Sequence, residues 1–346
     1  MGQFLEFLYE YGLFLAKAIT IVVSVALVIG LAVGAALRNK DHKKGELHIE
    51  NLSEDFIDQK DFLQRALLNK DQIKALDKQQ KKQKKADKNK ETDEKASPSL
   101  FVIAFNGDVH ASEVEAFREE ISAVITIAKE GDKVLINLES PGGVVHGYGL
   151  AASQIARLKA AKIHTTVAVD KVAASGGYMM ACVADKIIAA PFSIIGSIGV
   201  VAQLPNINKL LKKNDIEIEQ HTAGEFKRTL TVMGENTEEG REKFKQELED
   251  THILFKQFVN ENRPSLDIEK VATGEHWYGR QALDLGLIDE IKTSDDVLLE
   301  SAENNQLFKL EYKIRKNVAE KLGIAAATGV SNLWSKLASF HLTNAK

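Results

Sequence analysis

The chain has 346 residues, 44% hydrophobic and 27% charged, which is enough for a sizeable core with an added segment. Its 49 acidic residues outnumber the 45 basic ones, and the net charge of -4 excludes the general electrostatic footprint of a nucleic-acid binder. The single cysteine, Cys182, excludes an internal disulfide and a paired-cysteine zinc motif; flanked by Ala181 and Val183, it reads as core.

Residues 1–12 form a short N-terminal segment, and residues 13–37 carry the first strong signal. No residue from Ala18 to Leu37 is charged. As a helix this stretch spans roughly 30 Å, the thickness of a bilayer's hydrocarbon layer. The prediction is a retained transmembrane anchor, because the apolar part of a cleaved signal peptide is normally about 7–15 residues. Arg38, Lys40, Lys43 and Lys44 follow the span, whereas Lys17 is the one basic residue before it. That asymmetry places the body on the cytoplasmic side of a cell's inner membrane.

Residues 38–98 read as a basic flank and tether. Apolar positions such as Leu47, Ile49, Leu52, Phe56, Leu63 and Leu67 predict a short strand followed by an amphipathic helix. Asp71 to Lys95 is dominated by Lys, Gln and Asp and predicts a solvated helix or disordered tether with no core of its own.

The pattern changes after Ser97-Pro98-Ser99, and residues 99–300 read as one α/β body. Strands are expected at Leu100–Phe105, Lys133–Leu138, Ile163–Val169 and Lys186–Ala190, with helices over Ala111–Lys129 and Gly147–Lys159 between them. Nearly continuous apolar strands alternating with helices imply a parallel sheet with flanking helices. A strand at Ile216–His221, a long charged helix at Glu238–Asn262 and a Gly286-Leu287-Ile288-Asp289 unit complete the body, and residues 301–346 form a C-terminal extension.

Two turns carry the candidate chemistry. In Val172-Ala173-Ala174-Ser175-Gly176-Gly177-Tyr178 a strand breaks into small residues and resumes as a helix, so Ser175 is exposed as a candidate nucleophile where substrate can come close. Glu139-Ser140-Pro141-Gly142-Gly143 follows the second strand, at the carboxyl end of the sheet where α/β folds place ligands. The amides of Gly143 and Gly176 would form a two-donor oxyanion hole. A serine also needs a base. None of the nine histidines lies in a triad-like motif: His252 falls within the long charged helix and His276 beside Trp277. Lysine can serve when burial disfavours its charged form. Lys227, in the loop Ala223-Gly224-Glu225-Phe226-Lys227, is the candidate, and Lys171, four residues before the serine, is its competitor.

Together with Gly196-Ser197-Ile198-Gly199, these motifs resemble in order and spacing those of the signal peptide peptidase A family of membrane-bound serine proteases. The resemblance is dense from Phe101 to Ile291 and includes the anchor and lysine-rich tether of a short member. It implies a ClpP/crotonase-like fold and a Ser–Lys dyad, in which Ser175 matches the nucleophile, Lys227 the general base and Ser197 a hydroxyl that orients the lysine. It also implies active sites formed between adjacent catalytic domains. A chain with one copy of each motif would then assemble as a homo-oligomeric ring, with an octamer as one ring size. The caseinolytic protease ClpP shares both glycine turns but takes a histidine base after the following strand, where Pro191 to Gln203 holds none. The best-known members of that family act on the outer face of the membrane, so a periplasmic body is the alternative to the cytoplasmic one. The expected activity is hydrolysis of peptides or signal-peptide-like fragments, with no cofactor or metal; an acyl-CoA enzyme of crotonase type and a non-catalytic membrane scaffold are the rivals.

Overall fold

The computed structural model describes residues 9–21, 23–24, 45–90 and 97–313. The chain divides into two units, one of Leu47–Tyr312 and one of the two ends, Met1–Glu46 with Lys313–Lys346. In the unit of the two ends the backbone is helical over residues 9–21 and 23–24. Most of the expected anchor, including residues 25–37, lies outside the described residues, as do residues 314–346 of the expected extension. Among the described residues no helix is long and apolar enough to cross a membrane.

The larger unit is built on a sheet that runs, among the described residues, in the order β1-β10-β2-β3-β4-β6-β9. Its strands are β1 (Glu46–Asn51), β2 (Ser99–Asn106), β3 (Lys133–Glu139), β4 (His164–Val169), β6 (Lys186–Ala189), β9 (Glu290–Ile291) and β10 (Gln306–Lys313). Every pairing from β10 to β9 is parallel. The strands alternate between two apolar faces. Phe101, Ile103 and Phe105 of β2 and Val134, Ile136 and Leu138 of β3 enter the main core, while Leu100, Val102 and Leu135 join a second cluster on the opposite face. Burial on both faces is why these strands read as unbroken apolar runs.

Helices α3 (Val114–Ile127) and α4 (Val145–Ala160) are the crossovers, and α5 (Gly176–Ala181) and α7 (Glu238–Asn262) add Tyr178, Met180, Phe255 and Val259 to the main core. The opposite face is covered by α1 (Leu52–Leu67), through Leu52 and Phe56, and by α10 (Ser294–Ser301), through Val297 and Leu298. The strand and amphipathic helix predicted in the basic flank are therefore part of the sheet's architecture. The lysine-rich stretch is helical as α2 (Lys70–Lys90). Short helices α6 (Asn208–Lys213), α8 (Ile268–Val271) and α9 (Gly279–Asp284) complete the set.

A small second sheet was not expected from the sequence. It consists of β5 (Val172–Ala174), β7 (Ile194–Gly196) and β8 (His276–Tyr278), with β5 parallel and β8 antiparallel to β7. The strand expected at Ile216–His221 does not form: the backbone there is irregular and Ile216 and Ile218 are exposed. Among the described residues no strand pairs with it, and an alternating pattern does not hold a strand without a partner.

Candidate active site

Ser175 stands where β5 ends and α5 begins, with φ 52° and ψ -117°. This is left-handed backbone at a residue with a Cβ, a conformation that costs of order 1–3 kcal/mol and persists only where the surroundings enforce it. The Ser175 N–H donates to the Gly196 carbonyl at 2.7 Å, and the Ser175 carbonyl accepts from the Met179 N–H at 2.9 Å. Helix α5 has six residues, so what it offers an anion is single amides rather than the dipole of a long helix.

The glycine turn after β3 lies directly against this serine. Gly142 has φ +87°, and a Cβ built there would fall 2.7 Å from both the Ala174 carbonyl oxygen and Ser175 Cβ. A Cβ on Gly143 would fall 2.1 Å from the Val109 carbonyl oxygen, and one on Gly176 would fall 2.3 Å from Tyr148 Cγ. The glycines are thus demanded by close approach as well as by turn conformation. No acceptor among the described residues engages the Gly143 or Gly176 amide. Two such free donors beside a serine hydroxyl suit a developing oxyanion.

Beneath the turn runs a buried relay of hydrogen bonds. The Gly142 N–H donates to Ser140 Oγ at 3.0 Å, Ser140 Oγ lies 2.6 Å from the Tyr148 hydroxyl, and that hydroxyl donates to the Asp108 carbonyl at 2.7 Å. Since the phenol has one proton and gives it to Asp108, Ser140 must be the donor to Tyr148. Both side chains are fully buried, and burial pushes the Tyr148 phenol above its ordinary pKa. Ser140 and Tyr148 were missed as site residues. Ser140 was visible inside the glycine motif, whereas the pairing with Tyr148 has no sequence signal.

Ser197 follows β7 and also has φ 52°, its N–H donating to the Glu275 carbonyl at 2.8 Å. The register of the small sheet sets Ala174 beside Gly196, so the next residues of the two strands, Ser175 and Ser197, come side by side. A cleft of about 910 Å³ is lined by Gly143, Ser175, Gly176 and Ser197, with Met179 and Val200 among its apolar walls.

Lys227 is not among the residues lining this cleft. It is exposed in the turn after Gly224, to whose carbonyl its N–H donates at 3.2 Å. Four of the five expected site residues are brought together and the fifth is not. Lys171 is exposed and its Nζ lies 2.9 Å from Glu139 Oε2; that hydrogen bond and charge raise its pKa and keep it protonated. Cys182 is fully buried and its thiol is pushed up to about 12 by burial, so it is not a nucleophile near neutral pH.

Residues 6–155 match the model of the peptidase family S49 N-terminal region, and residues 157–307 match that of peptidase family S49. The chain belongs to peptidase family S49. A probable protease SohB of Haemophilus influenzae is 52% identical over 337 residues, 95% of either chain. A second probable protease SohB, from Buchnera aphidicola subsp. Schlechtendalia chinensis, is 51% identical over 304 residues, covering 85% of this chain and 99% of that one. This S49 protease is therefore of the SohB type. The boundary between the two family segments falls inside α4, just before the strand that leads to the Ser175 turn.

Proposed function

We propose that this S49 protease is a membrane-anchored serine endopeptidase with a ClpP/crotonase-like fold, acting through a Ser–Lys dyad on extended peptides. The observation that carries the reading is Ser175, held at φ 52° in a cleft beside two unengaged amides. Ser175 Oγ attacks the scissile carbonyl carbon as its proton passes to Lys227 Nζ. The amides of Gly143 and Gly176 hold the resulting oxyanion. As the C–N bond breaks, the lysine returns the proton to the leaving amine and an acyl-serine ester remains. Water, giving a proton to the same lysine, hydrolyses the ester and restores the hydroxyl. Ser197, beside Ser175, orients the lysine.

The position of Lys227 favours a site completed by a neighbouring copy. It sits on an irregular segment where Ile216, Ile218, Phe226 and Met233 are left exposed, an arrangement suited to burial against another copy of the chain. A head-to-tail contact of this kind closes into a ring. The uncharged stretch Ala18–Leu37 supports an N-terminal anchor in the inner membrane, and the basic flank supports a cytoplasmic body.

The test is complementation. Ser175→Ala and Lys227→Arg chains should each be inactive, the second because guanidinium does not give up its proton. Mixed subunits should recover part of the activity, since some interfaces pair an intact serine with an intact lysine. With subunit exchange verified, mixtures as inactive as their parents would refute the shared site, and turnover by Ser175→Ala alone would refute the nucleophile.

A further inference from the structure

Among the described residues three buried side-chain polar atoms have no hydrogen-bond partner: Asn137 Oδ1, His252 Nε2 and Trp277 Nε1. Of these residues, His252 alone lines the cleft that holds Ser175. It is carried on α7, which brings Phe255 and Phe258 to the same wall. An imidazole nitrogen withdrawn from water without a partner is unfavourable by an amount comparable to a lost hydrogen bond, and an apolar residue of similar size would avoid that cost. On these grounds the free protein gains nothing from this nitrogen.

The reading rests on the cleft being a peptide site. Its walls near Ser175 are largely apolar, with Val144, Val145, Met179 and Val200 among them. Such walls accept apolar side chains, yet every residue of a peptide brings backbone polar groups that must be paired once water is excluded. We infer that His252 is a positioning residue for substrate, its ring turning as the peptide enters so that Nε2, closed off in the free protein, pairs with a backbone polar group of the bound peptide. The orphaned nitrogen and the orphaned peptide group then satisfy each other. An imidazole can meet either a carbonyl or an N–H, according to its tautomer.

The test uses the full chain in detergent with Ser175→Ala, so that binding is read without turnover. The probe is a fluorescein-labelled peptide with a short alanine–leucine centre and flanking lysines, followed by anisotropy. Adding His252→Leu should weaken binding roughly tenfold, the size expected for one buried hydrogen bond lost to the complex. The melting temperature of the peptide-free protein should hold or rise. His252→Gln, which keeps an amide near the same place, should retain more affinity than His252→Leu. Replacing single peptide bonds of the probe by esters should weaken binding to the His252 protein at one position, and that position should lose its effect in His252→Leu.

A packing role predicts the reverse pattern, with a lower melting temperature and unchanged affinity, and would overturn the inference. So would failure of the probe to bind either protein, or the absence of an ester position whose effect depends on His252. In the chain with Ser175 intact, a collapse of kcat in His252→Leu with KM unchanged would make His252 the base instead. The peptidase reading fails on a different observation, turnover by the Ser175→Ala chain.

Discussion

Replacing Tyr148 by Phe removes one oxygen from beneath the glycine turn and leaves the ring in place. That oxygen makes two hydrogen bonds, 2.6 Å to Ser140 Oγ and 2.7 Å to the Asp108 carbonyl, in a side chain with 0% exposure. Each bond contributes about 1 kcal/mol net, and a buried group left unpaired adds about 1–3 kcal/mol, so Tyr148→Phe should destabilise by about 2–4 kcal/mol. The ring packing against Gly176 and Phe105 survives. For a body of this size the loss corresponds to a fall of roughly 5–15 °C in melting temperature, read by thermal unfolding of the full chain in detergent. Ser140→Ala made alone and in combination completes a double-mutant cycle, with an expected coupling of about 1 kcal/mol or more. Peptide turnover should fall about tenfold, because the Gly142–Gly143 turn loses the support that aims its amides. A melting temperature within about 1 °C of the parent, or strictly additive single variants, would refute the relay.

Two more outcomes follow from charges away from the cleft. Glu120 is 5% exposed and its carboxyl is pushed up to about 7 by burial, although the Tyr312 N–H donates to Oε1 at 2.7 Å. A folded-state value above the ordinary 4.5 gives stability that is fully present below that value and lost as pH rises through about 7. The rise from 4.5 to about 7 corresponds to about 3 kcal/mol. Glu120→Gln keeps an acceptor for Tyr312 and removes the charge, so unfolding curves from about pH 5 to pH 8 should lose this part of their slope; an unchanged slope would contradict the assignment. Lys171→Ala removes an exposed, solvent-screened pair with Glu139 and should leave peptide turnover within about twofold of the parent. A turnover collapse would restore Lys171 as the base.

Much of the body was legible in the chain because its local and global signals agree. Lys133–Leu138 was expected as a strand and Lys133–Glu139 is one; the long charged pattern at Glu238–Asn262 forms the helix with those bounds, entered through Thr237, whose side chain accepts from the Gly240 N–H. The pattern at Ile216–His221 misled, since alternation signals a strand only where a partner edge exists. His252 was passed over for a related reason. A residue in a charged helix looks solvent-facing in sequence, and only the packing of α7 beside the serine turn brings it to the cleft.

By itself the sequence determined the apolar strands buried on two faces and the small-residue turns at Gly142-Gly143 and around Ser175, because these depend on residue size and short-range periodicity. The tertiary structure decided what lies beside what. It inserted β10, from beyond residue 300, between β1 and β2, and it set Ser175 beside Ser197 through a sheet of three-residue strands too short to announce themselves. It also joined Ser140, Tyr148 and Asp108 in one relay and left Lys227 off the wall of the cleft that contains the serine. These relations depend on strand order and long-range closure, and no local pattern of residues carries that information.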